Sequence, residues 1–213
     1  MPIFNTILKK LDLELPLFYG ISDRRYFSEL DPFRYLDLLF QTSAHILQWR
    51  EKDLGPGETR VFAERGAQLA GSAGKLFLIN SHVEIALQSG AGGTHLTSDQ
   101  NISQAVERRN RSGAGEFILG KSVHSVAAAK AAQEEGADYV LLGPIFSPLS
   151  KKAGRRPLGL DGLREAAQAL RIPVFALGGI DGANFQQIFQ AGASGAAGIT
   201  WLREEVRKRS LWA

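Results

Sequence analysis

Apolar residues gather in eight short runs along the 213-residue chain: LFYGIS (17–22), ILQWRE (46–51), LFLIN (76–80), GTHL (93–96), FILGKS (117–122), DYVLLGP (138–144), PVFALGG (173–179) and GAAGIT (195–200). Most are near-continuous rather than alternating, which is the pattern of strands buried on both faces of a parallel sheet. Between them lie stretches with helical spacing, at 58–71, 126–136, 160–170 and 184–192, several closed by a glycine suited to a helix C-cap. The segments EEGADYVLLG and FQAGASGAAG share one grammar: a helix, Gly-Ala, one or two small or polar residues, then a buried strand. This is the helix-to-strand turn of a repeating unit.

Strand and helix alternation of this kind allows an open doubly wound sheet or a closed barrel. No GxGxxG follows the first strand, which disfavours the nucleotide-binding open sheet. The count of eight predicts an α/β fold, a single compact (β/α)8 TIM barrel. No linker or low-complexity segment interrupts it, so one domain is expected over 1–213. Residues 3–11 read as an extra N-terminal amphipathic helix covering the bottom of the barrel.

Composition narrows the function classes. Hydrophobic residues make up 44% and charged residues 22%, as in ordinary globular domains. No apolar run approaches the ~18 residues of a membrane span, and the N-terminal stretch lacks a secretory leader pattern. The absence of cysteine excludes disulfides and thiol catalysis and agrees with a cytoplasmic protein. A net charge of +3 with scattered basic pairs suits small anions better than nucleic acid. The expected partners are therefore phosphorylated small molecules and, at most, a second copy of the chain.

In a barrel the reactive groups sit at the C-terminal ends of the strands. There this chain carries donors more than acids. LQWREKD sets Gln48, Arg50 and Lys52 at spacing two, so that all three face one side, and an inward Arg and Lys can hold a phosphate or diphosphate. ALGGID and GITWL strip the last two strand ends of bulk at Gly178, Gly179 and Gly198–Thr200, offering backbone N–H groups to a second phosphate. GKSVHS places Ser122 and His124 past the fifth strand, where a histidine can move protons near neutral pH. His95, within GTHL, reads as a packed structural residue. The basic loop GPIFSPLSKKAGRRPLG, with Lys151, Lys152, Arg155 and Arg156, reads as a lid over an anion.

In this order, YGISD, LQWREKD, LFLIN, VEIALQSGAGGTHL, GKSVHS, GADYVLLGPIFSPLSK, IPVFALGGI and AGASGAAGIT resemble the thiamine phosphate synthase superfamily, which includes the thiazole tautomerases. The resemblance covers about residues 17 to 202. It implies that Gln48 contacts an aminopyrimidine. It assigns Arg50, Lys52, Asn80, Ser122 and Lys151 to that substrate's diphosphate, and Gly179, Ile199 and Thr200 to a thiazole phosphate. It also implies Mg2+ held by two carboxylates, but those positions here are Ser81 and Gln100, with Asp99 as a substitute only if the loop shifts by one residue. The expectation is therefore a thiazole tautomerase-like isomerase with no metal or other cofactor and His124, Ser122 and Lys151 as catalytic candidates. A synthase that releases pyrophosphate with Mg2+ stands second, and a non-catalytic phosphate-binding regulator third.

Overall fold

A computed structural model describes residues 3–147 and 156–210. Helix α1 (Ile3–Lys10) precedes the alternating units β1 (Leu17–Ile21), α2 (Pro32–Phe40), β2 (Ile46–Trp49), α3 (Pro56–Ala73), β3 (Leu76–Asn80), α4 (Val83–Ser89), β4 (Gly93–Leu96) and α5 (Ile102–Ser112). The second half runs β5 (Ile118–Val123), α6 (Val126–Glu134), β6 (Tyr139–Leu142), α7 (Gly159–Ala169), β7 (Val174–Leu177), α8 (Phe185–Gln190), β8 (Gly195–Gly198) and α9 (Thr200–Ser210). The eight strands form a closed parallel barrel in sequence order, β1 pairing with both β2 and β8. The expected (β/α)8 fold is the observed one.

Helix starts follow local chemistry. Asp31 accepts from the Phe33 and Arg34 amides ahead of Pro32, Asn101 accepts from the Gln104 amide, and Ser125 accepts from the Ala128 amide. The sequence pattern names four helices after the first, and the structure adds α2, α4, α5 and α9. Of these, α5 and α9 bury only two residues each, Ile102 and Ala105 in one, Leu202 and Val206 in the other.

Strand alternation divides the core in two. Leu17, Tyr19, Ile46, Leu76, Leu78, Ile118, Tyr139, Leu141 and Phe175 fill the barrel interior, while their neighbours pack outward against the helices. Gly120 makes room for Tyr139 in that interior, since a Cβ there would lie 1.9 Å from the tyrosine ring. Helix α1 closes the bottom as expected, with Phe4, Ile7 and Leu8 buried. The Phe4 ring stands 5.7 Å from that of Tyr139 and 6.0 Å from that of Phe175.

Phe4→Ala removes this plug. The expected loss is about 3 kcal/mol of unfolding free energy, the usual cost of truncating a buried aromatic. Urea denaturation reads it, and a change below about 1 kcal/mol would show that α1 merely rests on the barrel.

Candidate active site

The inward positions near the C-terminal strand ends are polar, and inside a closed barrel their polar atoms must find partners there. They do so in one continuous chain. Ser122 Oγ lies 2.8 Å from His95 Nε2, and His95 Nδ1 lies 3.0 Å from the Tyr139 hydroxyl. Tyr139 and Tyr19 hydroxyls are 2.9 Å apart, and Tyr19 donates to Gln48 Oε1 at 3.0 Å. Gln48 Nε2 donates to Asn80 Oδ1 at 2.8 Å, and Asn80 Nδ2 donates to Ser81 Oγ at 2.8 Å. The chain therefore runs from the end of β5 through the barrel axis to the end of β3. His95 is 1% and Gln48 2% exposed. Burial pushes the His95 pKa down to about 3, with the Arg50 charge adding to the effect, so the imidazole is neutral. Burial also raises both tyrosine hydroxyls above their ordinary range.

Of the LQWREKD trio, Gln48 faces the interior as the spacing predicts. Strand β2 stops at Trp49, however, so Arg50 is half-buried at the rim and Lys52 sits exposed in the following turn. The chain leaves the ladder because Ser22 and Glu51 bind the backbone instead. Ser22 Oγ accepts from the Arg50 amide at 2.8 Å and donates to Glu51 Oε1 at 2.5 Å, while Glu51 Oε2 accepts from the Arg24 amide at 2.8 Å. Burial raises the Glu51 carboxyl to about 7 despite these donors.

Gly178 and Gly179 adopt φ of 97° and 63°, in the left-handed region. A Cβ on Gly179 would stand 2.5 Å from the Ser147 carbonyl oxygen. With Ile199, Thr200, Tyr26 and Arg203 they line a cavity of about 270 Å³. Here β8 ends at Gly198 and α9 starts at Thr200, so the helix N-terminus opens onto the cavity. The Arg203 guanidinium lies 4.6 Å from the Tyr26 ring centroid. Sequence reasoning did not name Arg203 and Tyr26, because neither adjoins a strand end in a recognisable motif.

Ser122 and His124 border a separate cavity of about 220 Å³ with Ser98 and Lys121. His124 Nδ1 is 2.5 Å from the Gly143 carbonyl oxygen, which can only accept, so Nδ1 carries a proton and donates it there. Lys151, Lys152 and Arg155, with the middle of the expected lid at 148–155, lie outside the described residues, whereas Arg156 is described and exposed.

The positions that the resemblance gives to Mg2+ have other occupations. Ser81 Oγ accepts from Asn80, and Gln100 Oε1 accepts from both the Thr97 amide (3.0 Å) and hydroxyl (3.1 Å). Gln100 Nε2 donates to the Ser81 carbonyl at 3.1 Å, tying the two loops together. Asp99 is exposed. Of the other acids near the mouth, Asp23 pairs with Arg25 at 2.7 Å, Asp53 with Arg24 at 2.5 Å and Glu84 with Arg108 at 3.3 Å, while Glu51 is taken up by Ser22 and the Arg24 amide. Among the described residues no group of three His, Cys, Asp or Glu is placed to hold an ion. Mg2+ beside substrate phosphates is usually held by one or two carboxylates, and the neutral, already engaged side chains of Ser81 and Gln100 do not fit that role. No described helix is long and apolar enough to cross a membrane.

A family profile described as thiamine monophosphate synthase matches residues 18–202. The putative thiamine-phosphate synthase 2 of Aquifex aeolicus is 36% identical over 192 residues, covering 90% of this chain and 100% of its own. The thiamine-phosphate synthase of Bacillus velezensis is 35% identical over 174 residues, covering 80% of this chain and 76% of its own. Among solved structures, thiamine phosphate pyrophosphorylase from Pyrococcus furiosus superposes with a TM-score of 0.74 at 29% identity, covering 90% of this chain and 94% of that one. A 3-hexulose-6-phosphate synthase, at 18% identity and a TM-score of 0.60, shares the fold.

Glu51 generates a pH dependence. Its folded pKa of about 7 lies above the ordinary glutamate value of 4.5, so between those values the folded state holds the extra proton. Its contribution is therefore full below the unfolded pKa and lost as pH rises through about 7. Gln imitates the protonated acid. Thermal melts from pH 5 to 8 should show Glu51→Gln gaining on the parent chain as pH rises, and parallel curves would refute the assignment.

Proposed function

The chain belongs to the thiamine monophosphate synthase family, and on that premise we propose that it is itself a thiamine-phosphate synthase. It joins an aminopyrimidine diphosphate to a thiazole phosphate and releases pyrophosphate. The observation that carries this reading is the presence of two separate anion-suited stations on one barrel mouth. One, at the ends of β2, β3 and β5, gathers Gln48, Arg50, Asn80 and Ser122. The other is the glycine-lined cavity at the ends of β7 and β8. Isomerisation of a single thiazole phosphate needs only the second. Relatives named for the synthase reaction support the same choice over the tautomerase first expected.

In this reading Gln48 orients the aminopyrimidine by its amide. Arg50, Asn80 and Ser122 hold the diphosphate, joined by Lys52 from its exposed turn and, from sequence alone, by Lys151. The backbone at Gly178, Gly179, Ile199 and Thr200 holds the thiazole phosphate, with Arg203 as an additional cation. The thiazole nitrogen directs its lone pair at the exocyclic methylene carbon of the pyrimidine. The C–N bond forms as the C–O bond to the diphosphate breaks, and that electron pair departs on pyrophosphate. Fixed donors aimed at the departing oxygens stabilise charge that grows in the transition state. No proton transfer is required, so His124, tied to the Gly143 carbonyl, serves to shape the loop. Because the donor set at Ser81 and Gln100 does not fit Mg2+, no step here runs through a metal.

Purified protein given both substrates should form thiamine phosphate and pyrophosphate in equal amounts. Isomerisation of a thiazole carboxylate phosphate without any condensation would sink the reading in favour of the tautomerase. Arg50→Met should lower kcat/KM by about 100-fold, typical for a lost charged donor to a leaving group. Gly179→Ala should raise KM for the thiazole phosphate with a smaller effect on the diphosphate substrate. Equal effects on both would break the division into two stations.

A further inference from the structure

The buried chain from Ser122 to Ser81 has a property beyond satisfying its members. Each tyrosine hydroxyl has one proton to give, and a neutral imidazole has one. The orientation of the Gln48 and Asn80 amides then orders every proton. Tyr19 donates to Gln48 Oε1, so Tyr139 must donate to Tyr19. Tyr139 has then spent its proton and accepts from His95 Nδ1. A neutral His95 leaves Nε2 as an acceptor, so Ser122 Oγ–H points inward to it. His95 is neutral on structural grounds: it is fully buried, its ring nitrogens meet only hydroxyls, and no carboxylate touches it.

In this order Ser122 has no proton left for a ligand. It offers only lone pairs to the mouth, which an anion cannot use. The opposite order is equally complete. If both amides turn over, Gln48 Nε2 donates to Tyr19, Tyr19 to Tyr139, Tyr139 to His95 Nδ1, and His95 Nε2–H to Ser122. The serine proton is then free. At the far end the two orders exchange roles, because Ser81 Oγ changes from accepting to donating along the chain. Intermediate orders leave a buried donor or acceptor unmatched, which costs roughly 1–3 kcal/mol. The chain is therefore a two-state element.

We propose that His95 is a positioning residue whose tautomer sets the donor state of Ser122, and that an anion bound at Ser122 reverses the whole hydrogen-bond chain, turning over the Gln48 amide across the barrel. The proposal rests on the reading of this mouth as a diphosphate site. It makes the amide that faces the pyrimidine position and the serine that faces the diphosphate position parts of one switch.

Two-bond proton–nitrogen correlations on protein with labelled histidine distinguish the tautomers directly. The free protein should show His95 protonated on Nδ1, and saturating inorganic pyrophosphate should move the proton to Nε2. Protonation on Nε2 in the free protein, or an unchanged tautomer at saturation, would overturn the proposal while leaving thiamine phosphate formation untouched. Failure of pyrophosphate to bind at all would instead overturn the diphosphate reading, and the proposal with it. Tyr139→Phe provides an independent arm by cutting the chain between His95 and Tyr19. Pyrophosphate should then bind several-fold tighter, because nothing beyond His95 has to reverse. A merely structural tyrosine would give weaker binding, which would also count against the proposal.

Discussion

A hydroxyl or amide placed on the axis of a closed barrel has no water to fall back on, and this requirement orders most of what surrounds the mouth. Tyr19, Tyr139, His95 and Gln48 occupy inward positions that plain aliphatic packing would fill more simply. Each is tolerable only because the next one supplies its partner. The two ends of the chain surface at β5 and β3, where the polar series meets the solvent-facing rim. Deeper in the barrel the interior turns wholly apolar and aromatic down to Phe4. The result is a dry floor, a hydrogen-bonded middle layer and an anion-suited rim, each supported by the one beneath.

The rim obeys a second constraint, the disposal of backbone groups where strands end. Ser22 and Glu51 capture the amides of Arg50 and Arg24 that β1 and β2 no longer pair. Gly178 and Gly179 let the chain turn with left-handed dihedrals hard against the Pro144–Ser147 segment. One side of the mouth is thus built from side-chain donors and the other from bare backbone. In the proposed reaction the first would take the planar heterocycle with its diphosphate and the second the compact phosphate monoester.

Much of this is legible in the sequence. The eight apolar runs carry the barrel, since a parallel strand buried on both faces leaves a contiguous hydrophobic mark. Gln48, the paired glycines, and Ser122 with His124 all sit beside recognisable strand ends. The illegible parts have physical causes. Lys52 shares the spacing of Gln48 and Arg50, yet periodicity cannot reveal that hydrogen bonds from Ser22 and Glu51 end the strand at Trp49. His95 reads as a packing residue because burial is visible in its apolar neighbours, whereas its partners Tyr139 and Ser122 lie 44 and 27 residues away. Arg203 and Tyr26 meet only after the barrel closes β8 onto β1. The Ser81 and Gln100 substitutions are plain in the sequence. That both side chains are already engaged in holding the two loops together appears only in three dimensions.

Gly120 and Tyr139 face each other across β5 and β6, and the space of one is the ring of the other. They form a single unit of volume shared between two strands. Any side chain at 120 evicts the ring, and a smaller residue at 139 opens a hole on the axis and leaves His95 and Tyr19 without their common partner. Position 120 cannot gain a side chain, nor position 139 lose its ring, without a change at the other. In lineages descended from this chain the two should therefore change together or stay fixed together, and the pair, more than either residue, is what inheritance must conserve.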